Sequence, residues 1–255
     1  MASLSEVVFV LHRPRSLDNV GAAARVVKNF GVGRLVLVDP LSYGFDRARK
    51  LAVGAEDVLE RLYVHRTLTE ALAGAVYSAG TSSRALARRP SCGPSALAAR
   101  VAAARGPAAI VFGEEKRGLS DAELALCQEV CAIPTVPAQP SMNLAQSVAV
   151  LAYALAEGQS NGEPGDPDRR SPSARTVATA SGPPPATHGE LAAAREEARR
   201  ALSAAGFLNP QRPDLVLDEL TSCWGRAQLG RREAELWRNA FRKLADELAR
   251  RAGPR

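Results

Sequence analysis

The chain has 255 residues, 46% of them hydrophobic and 5% aromatic, with a formal net charge of +6 and a pI near 9.5. That apolar fraction excludes global disorder, and the length suits one large domain or two modest ones. The basic balance favours an anionic partner such as nucleic acid, although mild basicity alone is common.

Residues 7–11 form an apolar run too short for a signal peptide, with Arg13 and Arg15 following it, and no run approaches the length of a bilayer span. A soluble cytoplasmic protein without membrane association is expected. In chain order, residues 7–11, 35–38, 75–79, 109–112 and 130–133 are predicted as short buried strands. Helices are predicted over 20–30, 68–73, 95–105, 120–127 and 143–156. Asp18 or Asn19 stands where it caps the first helix and Gly31 where that helix ends, and Ser120 with Glu123 matches a capping box. Such alternation implies a mostly parallel sheet with helices on both faces, and ligands gather beyond the carboxyl ends of such strands.

The strongest composition shift is residues 158–189, where six prolines and five glycines accompany a single large aliphatic residue, Val177. Such a segment buries too little to offset its ordering and is expected to be a flexible linker between residues 1–157 and 190–255. The last piece reads as helical, over 191–205, 215–224 and 231–251, with interleaved charges on its final helix. Cys92, Cys127, Cys131 and Cys223 form no C-x-x-C pair and lie far in sequence from His12, His65 and His188. No metal site is expected; free thiols fit a reducing compartment, and Cys127 and Cys131 serve as small apolar fillers.

Three segments at strand-to-helix junctions carry the chemistry. The first is Asn19-Val20-Gly21-Ala22-Ala23-Ala24-Arg25, whose small residues let another backbone or a ligand approach closely. The second, Gly113-Glu114-Glu115-Lys116-Arg117-Gly118-Leu119, places glycines at both ends of a charged loop. Leu119 stands where a phosphate-binding loop needs lysine, and no dinucleotide glycine pattern opens the first helix, which disfavours a nucleotide-dependent oxidoreductase. The third, Ile133 to Ser147, is a proline-stiffened loop that delivers Ser141 and Asn143 to a helix start. Both are good caps, but one cap does not need two such residues.

In order and spacing these segments resemble the three motifs of the SPOUT RNA 2′-O-methyltransferases of the TrmH superfamily. The likeness extends to Gly80-Thr81-Ser82-Ser83-Arg84, and to Cys223-Trp224-Gly225-Arg226-Ala227 and Leu236-Trp237-Arg238, which resemble the TrmJ branch and its C-terminal extension. The resemblance implies an α/β fold with a trefoil knot made where residues 112–144 thread, plus a small helical C-terminal domain. It implies S-adenosyl-L-methionine (SAM) bound by Thr81, Ser82, Ser83, Gly113, Ile133, Pro140, Ser141 and Met142. Arg25, Glu115, Ser141, Asn143 and Asn19 would carry catalysis on a tRNA ribose, at nucleotide 32 of the anticodon loop, in a homodimer packed through its knots. An rRNA or another tRNA position, or RNA binding without catalysis, stays open as an alternative. The resemblance casts Arg25 as the catalytic arginine; because guanidinium keeps its proton, stabilising developing negative charge suits it better than acting as a base. Arg13, Arg15, Arg84, Arg88, Arg89 and Arg117 lie in or near loops that would face RNA. Two departures from the branch stand out: Glu114 and Lys116 stand where arginine often comes first, and Met142 replaces leucine. Glu114 brings a negative charge toward the expected RNA path.

Overall fold

The computed structural model describes residues 3–42, 44, 46–84, 90–160 and 184–252, and in it the five predicted strands are joined by two short ones. They are β1 (Val7–His12), β2 (Arg34–Val38), β3 (Tyr63–His65), β4 (Tyr77–Thr81), β5 (Ser91–Cys92), β6 (Ala108–Phe112) and β7 (Glu129–Cys131). All pairings are parallel, in the order β3-β2-β1-β6-β4-β7-β5. The two strands that sequence reading missed are three and two residues long, and Tyr63 and Val64 are exposed, so neither carries a hydrophobic period.

Alternation along the central strands builds two cores. Phe9, Leu11, Leu35, Leu37, Ile110 and Phe112 face one side with residues of α1 (Leu17–Phe30), α5 (Pro94–Ala103) and α7 (Leu144–Ser160). Val10, Val36, Val38, Ala109 and Val111 face the other, under α4 (Leu68–Leu72) and α6 (Asp121–Ala125). Two short helices that sequence reading did not anticipate, α2 (Asp46–Leu51) and α3 (Glu56–Glu60), pack on α1. Gly21 is what lets α2 in: a Cβ there would lie 2.1 Å from the carbonyl oxygen of Ala48. The small residues at the start of α1 therefore admit another backbone.

The predicted cap of α1 needs correction. The capping position is Ser16, which makes no side-chain capping bond, and Asn19 sits inside the first turn with its amide committed elsewhere. Gly31 ends the helix in the left-handed region at φ 67°, and Ser120 with Glu123 forms the predicted capping box of α6.

The chain divides into two units, Met1–Ala180 and Ser181–Arg255. In the second, α8 (His188–Ala204), α9 (Pro213–Arg226) and α10 (Arg231–Ala252) enclose Ala194, Ala198, Leu208, Leu217 and Trp224. Trp224, Trp237 and Phe241 form a triangle of contacting rings, and Arg195 reaches Asp214 and Asp218 across α8 and α9. Both ends of the predicted linker are structured. Gly158 belongs to α7, where a Cβ would lie 2.8 Å from that of Ala98, and Thr187 caps α8 in a capping box with Glu190. Residues 161–183, and Arg88 and Arg89, lie outside the described residues. No described helix is long and apolar enough to cross a membrane.

Burial lowers the pKa of His188 to about 4, and its seat in the first turn of α8, beside the positive helix end, acts in the same direction. The folded state thus binds its proton less readily than the unfolded chain. Stability is full above the unfolded pKa near 6.5 and falls as pH drops from there toward 4. Thermal melts at pH 7.5 and 4.5 are expected to show a drop of several degrees that shrinks in His188→Gln.

Candidate active site

The carboxyl ends of β4, β6 and β7 open into a cleft of about 320 Å³, within the size range of small-molecule sites. Its walls come from residues 81–84 after β4, the 112–119 loop after β6, and the 131–147 stretch that runs from β7 into α7. The 81–84 loop is tied to β7 by the Ser82 amide, which donates to the carbonyl of Cys131 at 3.1 Å. Leu119 and Ile133 offer apolar surface; Thr81, Ser82, Ser83, Thr135 and Ser141 offer hydroxyls.

Gly113 shapes the floor. A Cβ there would stand 2.2 Å from the carbonyl carbon of Gly118 and 2.4 Å from the amide nitrogen of Leu119, so the loop closes only over glycine. Gly118 turns the chain back at φ 66°, and its amide donates to the carbonyl of Glu114 at 2.7 Å.

Glu115 anchors this loop to α1. It accepts from the amides of Arg15 (2.9 Å) and Ser16 (3.0 Å) and from the Asn19 side chain (2.9 Å). Partial burial opposes its ionisation, but the bonds from Asn19, Ser16 and Arg15 outweigh that and hold its carboxyl below the usual range. Asn19 in turn accepts from the Asn143 side chain at 3.0 Å, and the Asn143 oxygen takes the amides of Ala145 and Gln146 at the start of α7. One hydrogen-bonded chain, Glu115–Asn19–Asn143, thus links three segments that are more than 20 residues apart in sequence.

All eight residues expected at the cofactor line the cleft: Thr81, Ser82, Ser83, Gly113, Ile133, Pro140, Ser141 and Met142. Of those expected in catalysis, Glu115 and Ser141 line it, while Asn19 and Asn143 brace it from behind. Arg25 does not line the cleft; it is exposed on α1, and no described residue pairs with it. Sequence reasoning missed Thr135 and Ser147, although both lie in the third segment. Thr135 donates to the Pro140 carbonyl at 3.0 Å, and Ser147 follows Asn143 by one helical turn, donating to its carbonyl at 3.2 Å. Arg84, expected near RNA, is held by the Leu119 carbonyl and Asp121.

Residues 6–153 match the model of the SpoU rRNA Methylase family. A protein of Pseudomonas aeruginosa (strain UCBPP-PA14) named tRNA (cytidine/uridine/adenosine-2′-O-)-methyltransferase TrmJ is 34% identical over 243 residues, covering 92% of each chain. A tRNA (cytidine/uridine-2′-O-)-methyltransferase TrmJ of Yersinia pestis (strain Pestoides F) is 32% identical over 244 residues, 94% of this chain and 92% of its own. Among solved structures, TrmJ from Z. mobilis ZM4 superposes with a TM-score of 0.77 at 28% identity, covering 93% of this chain and 98% of that one.

Proposed function

The chain belongs to the SpoU rRNA methylase family as an RNA 2′-O-methyltransferase, and we propose that it acts on tRNA, methylating the ribose of nucleotide 32 in the anticodon loop. The observation that carries this reading is the convergence of three distant segments on one cleft, with its walls locked by the Glu115–Asn19–Asn143 chain. The cleft suits S-adenosylmethionine: the bare Gly113 backbone admits close approach, apolar Ile133 and Met142 line it together with the hydroxyls of residues 81–83 and Ser141, and Glu115 supplies negative charge.

When bound, S-adenosylmethionine supplies a sulfonium-borne methyl, which the ribose 2′-oxygen takes as its proton leaves to water and the carbon–sulfur bonding pair returns to sulfur. The protein's own task is to hold donor and acceptor in line, a matter of positioning more than of new covalent chemistry. Ile133 and Met142 would hold its apolar parts, and the main chain of residues 81–83 and 140–142 would offer partners to its polar groups. Ser141 orients the incoming ribose. Asn19 and Asn143 act through the walls they brace, since their side chains are committed to each other and to a helix start. Glu115 balances the sulfonium and fixes the loop.

Arg25 stabilises the negative charge that develops on the 2′-oxygen. Because it lies outside its own cleft, it serves the cleft of a second copy, and the enzyme works as a homodimer. α1 and α7 pack together, with Arg25 on α1 and the half-exposed Tyr153 on α7 left toward solvent, which supports that face as the interface. The fold carries the trefoil knot over residues 112–144; the insertion of β6 and β7 between strands laid down earlier is in keeping with it. The helical unit from 190 onward contributes to tRNA recognition.

The test uses purified protein, methyl-labelled S-adenosylmethionine and separate unmodified tRNA and rRNA transcripts. Label at the 2′-oxygen of tRNA nucleotide 32 is expected. Label confined to rRNA would keep the chemistry and move the substrate, and no label with no cofactor binding by calorimetry would sink the assignment.

A further inference from the structure

Glu114 carries the charge that looked unfavourable for RNA, and its surroundings change that picture. Its side chain is 2% exposed, yet what covers it is two arginines. Arg15, on the approach to α1, donates its Nε to Oε1 of Glu114. Arg117, from the same loop as Glu114, donates Nε and Nη2 to Oε2 at 3.2 and 2.9 Å. Each carboxylate oxygen is committed to a different guanidinium, and those bonds, Arg15's foremost, keep the carboxyl below the usual glutamate range.

A guanidinium has five N–H donors. Glu114 engages one of Arg15's and two of Arg117's, and no other described residue accepts from either side chain. The two side chains remain 46% and 68% exposed. The result is a covered carboxylate that pins two arginines by their inner donors and leaves their outer donors toward solvent beside the cleft. An arginine free in solvent loses rotamer freedom when it grips a phosphate; one already pinned has lost most of it. Paired, planar donors also match phosphate oxygens in geometry as well as charge.

We propose that Glu114 is a positioning residue, which aims Arg15 and Arg117 as a two-guanidinium seat for a backbone phosphate of the RNA whose ribose enters the cleft. This rests on the reading of the chain as an RNA methyltransferase. The carboxylate does not repel the RNA: both its oxygens face guanidiniums, and the group of three carries a net positive charge.

The experiment compares wild type with Glu114→Gln, Glu114→Asp, the pair Arg15→Ala/Arg117→Ala, and that pair combined with Glu114→Gln. The readouts are kcat and KM for unmodified tRNA, cofactor affinity by calorimetry, and tRNA affinity against salt. Glu114→Gln is expected to raise KM for tRNA about tenfold with kcat and cofactor affinity within twofold, and Glu114→Asp to recover part of it. The arginine pair is expected to raise KM at least as much and to flatten the slope of log affinity on log salt by about 0.7 to 0.9, the loss of one phosphate contact. Adding Glu114→Gln to the arginine pair is expected to change nothing further, because the carboxylate acts only through them. Tighter tRNA binding in Glu114→Gln, or an equal rise in KM without the arginines, would overturn the proposal. If Glu114→Gln proves unstable, the exposed arginine pair decides: unchanged KM and salt slope also overturn it. Failure of the parent reading looks different, since wild type would then methylate no RNA.

Discussion

Arg25→Ala is expected to lower kcat by about a thousandfold while cofactor affinity stays within twofold and the melting temperature hardly moves. The size follows from removing one charged donor from a developing oxyanion, typically a loss of about 10²–10³ in kcat. The selectivity follows from the structure. Arg25 is exposed on α1 and lines no part of the cleft, so alanine there breaks no hydrogen bond or ion pair among the described residues. Calorimetry with S-adenosylmethionine and single-turnover kinetics on tRNA separate binding from chemistry. A kcat within tenfold of wild type would take the charge-stabilising role away from Arg25.

The parts of this protein legible in sequence are those where local chemistry and burial agree. The central strands β1 and β6 announce themselves because their faces are buried, so apolar residues run without interruption from Val7 to Leu11 and from Ala108 to Phe112. Gly31 and the Ser120–Glu123 box mark helix ends because each satisfies orphan backbone groups through one residue type in one place. β3, β5, α2 and α3 are too short for any period to emerge, and tertiary contacts hold them in place. The cap of α1 lies at Ser16 and not at Asn19 because of distant partners. Asn19 has the right chemistry for a cap, but its amide meets Glu115 and its oxygen meets Asn143, which are 96 and 124 residues away. No local pattern reports such a partner. Glu114 is similar: in sequence it is an extra negative charge, and only the fold brings Arg15 over it. The cleft lining, by contrast, follows the second and third motifs and the 81–84 loop closely, because each follows a strand and parallel strands end on one edge.

Gly113→Ala is expected to weaken cofactor binding by a hundredfold or more in a protein that still folds. Its methyl would stand 2.2 to 2.6 Å from the backbone of Gly118 and Leu119. Both are main-chain neighbours, so no rotamer change relieves the clash, and the 113–118 loop must open. Overpacking of this kind costs about 1–3 kcal/mol, which the buried sheet can bear, but opening the loop reshapes the cleft wall that residues 113–118 form. Unchanged cofactor affinity would show that this loop does not contact the ligand. The same variant settles where Arg25 acts. Subunits of Gly113→Ala keep Arg25 but lack a working cleft; those of Arg25→Ala keep the cleft but lack the arginine. If Arg25 reaches across a two-fold interface, an exchanged equal mixture forms mixed dimers with one complete site, and about a quarter of wild-type activity returns by random pairing. If Arg25 serves its own cleft, no mixed dimer has a complete site, and the mixture stays as inactive as its parents.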